Sequence, residues 1–164
     1  MELPPLLDFL KAGVHFGHKI SKRHPKMQPY IFTSRNGIHI FDLEKTVAEL
    51  AKALEFVKNV VKDGGVVLFA GTKRQAKESV KKYATECGMP YVMGHWLGGL
   101  LTNFSVLKRV IKKYIDLQRK QERGELAKYT KKEQLEFQRE IERLHEIVGG
   151  IYTLETIPQA LFVL

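Results

Sequence analysis

The sequence predicts an α/β fold: a doubly wound parallel sheet into which an antiparallel pair of helices is inserted. The segment Val66–Ala70 is apolar at every position, as a central parallel strand must be when helices cover both of its faces. This segment lies within an alternation of strand-like and helix-like segments, which is the order that a parallel sheet requires. From Asn103 onwards the pattern changes to two helical stripes on either side of Gly124, and these stripes predict the inserted helices.

The first half of the predicted α/β part contains two helices and one strand. A short helix is expected over residues 5–12, and the β-branched and aromatic run Ile38–Phe41, after the Asn36-Gly37 turn, predicts a strand. Asp42 can cap the helix that follows, and Gly64-Gly65 ends it. The apolar residues of this helix keep the spacing of one buried face: Val47, Leu50, Leu54, Val57 and Val61.

The second half supplies the remaining strands of the predicted parallel sheet. After Val66–Ala70, the turn Gly71-Thr72 opens a third helix that ends near Cys87-Gly88, and Pro90–Val92 begins the next strand. Ala160–Leu164 is the last apolar strand. Because no helix follows to cover it, the sheet is expected to be incomplete at its C-terminus and the chain to lack a continuation.

The inserted helices are expected to form a hairpin. Asn103 is a good N-cap, Gly124 ends the first helix, and Thr130 with Glu133 forms the capping box of the second. Each apolar stripe is too narrow for burial in a domain core, so the hairpin is expected to project outward and to pack mainly on itself. The predicted domains are an α/β domain at residues 1–102 and 149–164 and a helical hairpin at residues 103–148.

The composition indicates a basic globular protein with a polyanionic partner. The 164 residues include 27 lysines and arginines against 18 acids, which gives a net charge of +9 and a pI near 9.6. Nucleic acid is the commonest partner of such a chain. An anionic membrane is the alternative, but the longest apolar run, around Val66–Ala70, is far shorter than the roughly 18 residues of a spanning helix. A single cysteine, Cys87, and the absence of a secretory signal predict an intracellular protein.

Three segments concentrate the positive charge. Residues 13–36 contain no acid, and the turn Thr72–Gln75 lies where phosphates bind free N–H groups, between a strand and a helix. The first helix of the hairpin carries seven cations against two acids. Each segment could instead be a solvated face, but their density favours contact with a polyphosphate backbone. The cations are Lys19, Lys22, Arg23, Lys26 and Arg35 in the first segment, Lys73 and Arg74 in the second, and Lys108, Arg109, Lys112, Lys113, Arg119, Lys120 and Arg123 in the third.

The histidines raise the question of a metal site. His15 and His18 form an H-x-x-H pair, but a zinc site usually needs four ligands in paired clusters, and the lone Cys87 supplies no second pair. Polar contacts with loop residues or with RNA phosphate are therefore favoured over a metal. Neither a serine elbow nor an acid/base pair of carboxylates is evident, so the sequence predicts neither a cofactor nor an enzyme.

The string His95–Gly99 is the most unusual in the chain because it places the only tryptophan, Trp96, next to paired glycines. Trp96 could be a platform on which an RNA base stacks. It could also anchor the core beside a tightly bent backbone, and from the local sequence this second interpretation is favoured.

Many strings along the chain resemble the second protein of the small ribosomal subunit, of the bacterial and organellar type. The resemblance covers almost the whole chain from Leu6 onwards, and the collinear order of the strings makes it highly specific. The strings are Ala12–His18 (AGVHFGH), His24–Met27, Pro29–Phe32, Arg35–Ile40, Asp42-Leu43 with Lys45-Thr46, Phe69–Ala76, Cys87–Val92, Trp96–Gly99 with Leu101–Phe104, and Leu161–Val163.

The resemblance implies a flavodoxin-like α/β domain with an inserted coiled-coil hairpin and no catalytic activity. It implies binding to small-subunit ribosomal RNA and support for docking of the large, multi-OB-fold mRNA-binding protein of that subunit, in the cytoplasm of a bacterium or in a chloroplast or mitochondrion. Two positions depart from the family pattern: His95 replaces an arginine, and Gln159 replaces an aspartate after Pro158. The family continues beyond the last matched strand, so this chain resembles a member without its C-terminal part.

Charge and resemblance together give the hypothesis that the chain binds folded RNA chiefly through phosphate contacts. A nucleotide- or flavin-binding enzyme domain is the rival that the fold permits, and a membrane-surface protein would need wider apolar stripes than the hairpin has. The expected RNA-binding residues are His15, His18, Lys19, Lys22, Arg23, Lys26, Arg35, Asn36, Thr72, Lys73, Arg74, Gln75, His95, Trp96, Thr102, Asn103, Lys108, Arg109 and Lys112.

Overall fold

A computed structural model describes residues 3–164 as a mixed α/β protein. Two compact units divide the chain, one ending at Asn59 and the other beginning at Val60. The helices are α1 (Leu6–Lys11), α2 (Leu43–Lys62), α3 (Lys77–Glu86), α4 (Phe104–Glu122) and α5 (Lys131–Val148). The strands are β1 (Phe16–Lys19), β2 (Ile31–Arg35), β3 (Ile38–Phe41), β4 (Val67–Gly71), β5 (Tyr91–Met93) and β6 (Ala160–Val163). Short 3-10 helices cover Ile20–Lys22, Pro25–Tyr30 and Glu125–Lys128.

The first unit contains an antiparallel sheet in the order β1-β3-β2. Ile38–Phe41 is the strand that the sequence predicts, but its assignment to the parallel sheet is wrong. The reason is the Asn36-Gly37 turn, where φ is 51° and 75°. Positive φ at both central residues makes the two-residue turn of a β-hairpin, which joins antiparallel strands only. Pro25–Tyr30 contains two prolines and forms a 3-10 helix instead of an α-helix.

The second unit contains a parallel sheet, as the sequence predicts, and the order of its strands is β5-β4-β6. The central strand is β4, in which Phe69 is in register with Tyr91 on one side and with Phe162 on the other. Leu68 and Ala70 are buried, since elements of the second unit cover this strand. On the edge strand β6 most side chains are exposed.

Helices α4 and α5 pack side by side in opposite directions. The hydroxyl of Tyr114 lies 2.7 Å from Nδ1 of His145, and nearer the connection the amide of Gln121 donates to Gln138 at 2.6 Å. The capping box is confirmed, because the Thr130 backbone N–H donates to Glu133 at 2.9 Å and the Glu133 backbone N–H donates to the Thr130 hydroxyl at 3.4 Å.

The apolar stripes of α4 and α5 belong to the main core of the second unit. The prediction that they are too narrow for a domain core is wrong, since the two helices share one buried cluster with β4 and β5. Residues of the loops that flank the helices complete the stripes and widen the buried face. The cluster contains Leu68, Val92, Leu100, Ile111, Tyr114, Leu117, Ile141, Leu144, Val148, Ile151 and Leu154.

One carboxylate links the two helices. Glu140 accepts hydrogen bonds from Arg143 at 2.9 Å and from Lys113 of the opposite helix at 2.8 Å. These bonds, from Arg143 foremost and then from Lys113, lower the pKa of Glu140 from its ordinary 4.5 to about 2. A depressed carboxyl pKa stabilises the fold above the ordinary pKa, and the stabilisation is lost as the pH falls from there towards 2.

We expect Glu140→Gln to lower the free energy of unfolding at pH 7 by a modest amount, because solvent screens the exposed side chains of Lys113 and Arg143 that pair with it. Denaturant unfolding between pH 7 and pH 3.5 should show the difference from the parent chain shrinking below about pH 5. Glu136→Gln on the same helix is the control and should have little effect throughout. A difference that stays constant with pH would contradict this prediction.

Candidate nucleic-acid interface

The cations of the N-terminal segment lie on the surface of the first unit. Lys19, Lys22, Arg23, Lys26 and Arg35 are all exposed, and within residues 3–164 none of them forms an ion pair with a carboxylate. The Arg23 guanidinium donates to the side chain of Gln28, which is neutral. Because residues 13–36 contain no acid, the positive charge of this segment is left uncompensated locally.

Three other predicted residues lie in or beside the strands of this unit. Asn36 is exposed in the hairpin turn, where its φ of 51° is one that asparagine tolerates better than most residues. His18 is exposed on β1, whereas His15 is half-buried and its Nδ1 has no hydrogen-bond partner among the described residues.

Across residues 3–164 no group of three or more His, Cys, Asp or Glu side chains could hold a metal ion.

The turn Thr72–Gln75 is exposed at the carboxyl end of β4. Helix α3 begins at Lys77, later than the sequence predicts, and Ala76 at its N-cap offers no side-chain hydrogen bond. The turn therefore precedes the free N–H groups of the helix instead of containing them. Any anion contact here depends mainly on the charges of Lys73 and Arg74.

Near this turn, a cleft of about 520 Å³ opens between α3, β5 and the end of α5. Lys77 and Lys81, four residues apart on one face of α3, line it together with His95. The predicted RNA-binding residues do not include these two lysines, although their i, i+4 spacing indicates a common face of the helix. Trp96 is half-buried and packs against the main core, as the favoured interpretation predicts.

The start of α4 carries two further predicted residues, Thr102 and Asn103, both exposed. Asn103 lies at the N-cap as predicted, but its side chain caps no backbone N–H of the helix, because its ψ of 49° is outside the usual extended region. Its Oδ1 accepts a hydrogen bond from the Ser105 hydroxyl at 3.4 Å instead.

The cations in the first half of α4 differ in whether a carboxylate pairs with them. Lys113 is paired with Glu140 at 2.8 Å, whereas Lys108, Arg109 and Lys112 are exposed and form no ion pair within the part of the chain that the structure describes. Helix α5 carries four cations against five acids, so the excess of positive charge belongs to α4 alone. This one-sided charge is typical of a docking face for a polyanion.

A family model described as ribosomal protein S2 matches residues 9–164. The chain belongs to the ribosomal protein S2 family. S2 proteins are structural constituents of the small ribosomal subunit and are not enzymes, so the rival hypothesis of a nucleotide- or flavin-binding enzyme is set aside. The family resemblance that the sequence strings predict is confirmed.

Membership of the S2 family implies that the partners of the chain are ribosomal RNA and other ribosomal proteins. It also implies that the chain is bound to a ribosome, either in the cytoplasm or in an organelle. None of the helices within residues 3–164 has the length and apolar character needed to cross a bilayer.

Proposed function

We propose that this S2-family chain binds small-subunit ribosomal RNA chiefly through phosphate contacts, on a bacterial ribosome or a chloroplast or mitochondrial one. The observation that carries the proposal is one-sided charge. Lys108, Arg109 and Lys112 of α4 and the five cations of residues 13–36 are exposed and form no ion pair with a carboxylate among the described residues. The proposed RNA-binding residues are the 19 separate residues that charge and resemblance predict, of which His15 is the first along the chain and Lys112 the last. Phosphate contacts position a protein on a folded RNA without distinguishing its sequence.

The paired helices are proposed to act as a docking element, a coiled-coil hairpin over residues 103–148 whose apolar stripes pack against a flavodoxin-like, doubly wound α/β domain. Support comes from the opposite directions of α4 and α5 and from their unequal charge. A basic helix beside a nearly neutral one can contact RNA on one side and a protein on the other. The proposed protein neighbour is the large OB-fold mRNA-binding protein of the small subunit.

Salt dependence of RNA binding tests the main proposal. If about six phosphates are neutralised, a plot of log affinity against log salt should have a slope of about −4 to −5. Filter binding of the chain to small-subunit ribosomal RNA between 50 and 300 mM KCl measures this slope, and co-sedimentation with small subunits checks the partner. A flat response would refute the proposal.

A further inference from the structure

One face of the antiparallel sheet carries two exposed aromatic rings. Phe16 on β1 is directly opposite Ile40 of the central strand β3, so their side chains share a face of the sheet. On β2 the register shifts between Ile31 and Thr33, which are paired with Phe41 and Ile40. The bulge sets Phe32 and Thr33 against the single residue Ile40. Since side chains alternate, Phe32 projects away from the face of Ile31 and towards that of Ile40.

Two cations form the next row on the same face. Lys19 and Arg35 are both opposite Ile38, two residues from Ile40 along β3. Phe16 and Phe32 are 61% and 75% exposed, and both cations are exposed as well. On the other face, His39 is only 7% exposed. The face that carries these four side chains is therefore open to solvent. We call it the aromatic face and define it by Phe16, Phe32, Lys19 and Arg35.

We propose that the aromatic face binds unpaired nucleotides of RNA, with bases stacked on Phe16 and Phe32 and their phosphates held by Lys19 and Arg35. Every base has a π-face, so an exposed ring beside a cation binds single-stranded RNA with little regard to sequence. The bases within a duplex are already stacked and cannot use the rings. This inference rests on the proposed RNA-binding function and adds a contact that phosphate recognition alone does not include.

Charge complementarity favours RNA over a protein as the occupant. Both cations of the aromatic face lie in residues 13–36, where five cations stand without one acid. An apolar protein surface would gain from the phenylalanines but would have to cover Lys19 and Arg35 at a cost in desolvation. A phosphate backbone satisfies the cations while its bases cover the rings.

The test compares leucine variants at three exposed phenylalanines of the full chain. Leucine keeps an apolar side chain but has no π-face. Phe16→Leu and Phe32→Leu should each weaken binding to an unstructured oligoribonucleotide of about 12 residues by about tenfold, leaving the salt slope unchanged. Phe56→Leu is the matched control, because Phe56 is 57% exposed but lies on α2, outside the aromatic face. An RNA that carries 2-aminopurine reports stacking directly through fluorescence quenching, and circular dichroism verifies the fold of each variant.

The salt slope separates the two kinds of contact. Lys19→Gln with Arg35→Gln should lower the magnitude of the slope by about 1.4, at about 0.7 per single-strand contact. A fully paired RNA duplex of the same length should bind Phe16→Leu and Phe32→Leu as it binds the parent chain.

Three outcomes would overturn the proposal. The first is unchanged affinity and quenching in both leucine variants; the phosphate-based function would still stand if substitutions on α4 weaken ribosomal RNA binding. The second is equal loss in Phe56→Leu. In the third outcome, Phe16→Leu and Phe32→Leu co-sediment normally with small subunits, whereas Phe16→Ala and Phe32→Ala do not. Because leucine keeps the apolar side chain and alanine removes most of it, this result would assign the aromatic face to a protein neighbour.

Discussion

Replacement of Gly150 by alanine is expected to lower the free energy of unfolding by about 3 kcal/mol. A Cβ atom at this position would lie 2.2 Å from the carbonyl oxygen of Tyr91 and 2.7 Å from its ring. The two residues are held together because the Tyr91 N–H donates to the Gly150 carbonyl at 2.8 Å. Tyr91 cannot retreat easily, since β5 is hydrogen-bonded in the parallel sheet to β4. The clash therefore has to separate the end of α5 from the sheet.

The control for this prediction is Gly98→Ala. A Cβ atom at Gly98 would meet nothing within 4 Å, so the change should shift the free energy of unfolding by no more than about 0.5 kcal/mol. Denaturant unfolding followed by circular dichroism compares the two variants with the parent chain. Equal midpoints for Gly150→Ala and Gly98→Ala would show that the close approach of Gly150 to Tyr91 does not determine stability.

Neutralising the exposed cations of α4 should have the largest effect on RNA binding. The triple variant Lys108→Gln, Arg109→Gln, Lys112→Gln removes three side chains that lack carboxylate partners in the described part of the chain. We expect affinity for small-subunit ribosomal RNA to fall by about 100-fold at 0.1 M salt, and the magnitude of the salt slope to fall by about 2 to 3. Filter binding over a range of salt concentrations measures both quantities.

A triple variant of α5 removes the same charge from the opposite helix. Lys131→Gln, Lys132→Gln, Arg139→Gln should leave affinity and slope nearly unchanged, because α5 has no excess of positive charge. If the two triple variants lose affinity equally, only the net charge of the chain matters and α4 is not a docking face. Each variant should keep the helical content of the parent chain.

Local signals predicted the helices and the parallel strands well. The capping box of Thr130 and Glu133 is visible in the sequence because both partners lie within one helical turn. The all-apolar segment around β4 likewise predicts a central parallel strand, since burial on both faces removes every polar position. Asp42 caps α2 as predicted, accepting the Glu44 N–H at 3.1 Å.

The antiparallel sheet was missed because strand pairing is not local. The sequence indicated the Asn36-Gly37 turn but not that Ile31–Arg35 pairs across it, since prolines and charges in the preceding stretch obscure the strand. Phe16–Lys19 is short and bulged, so its alternation is too brief to recognise. The aromatic face depends on both strands and was therefore missed with them.

The sequence by itself determined the family, the excess of positive charge and most helices, because each depends on residue identity or on neighbours within a few positions. Only the tertiary structure decided which side chains are available to a partner. It packs Trp96 against the core, pairs Lys113 with Glu140 and leaves Phe16 and Phe32 in solvent. The burial of a side chain and its pairing with an opposite charge depend on residues far apart in the chain, so they cannot be predicted from a local sequence pattern.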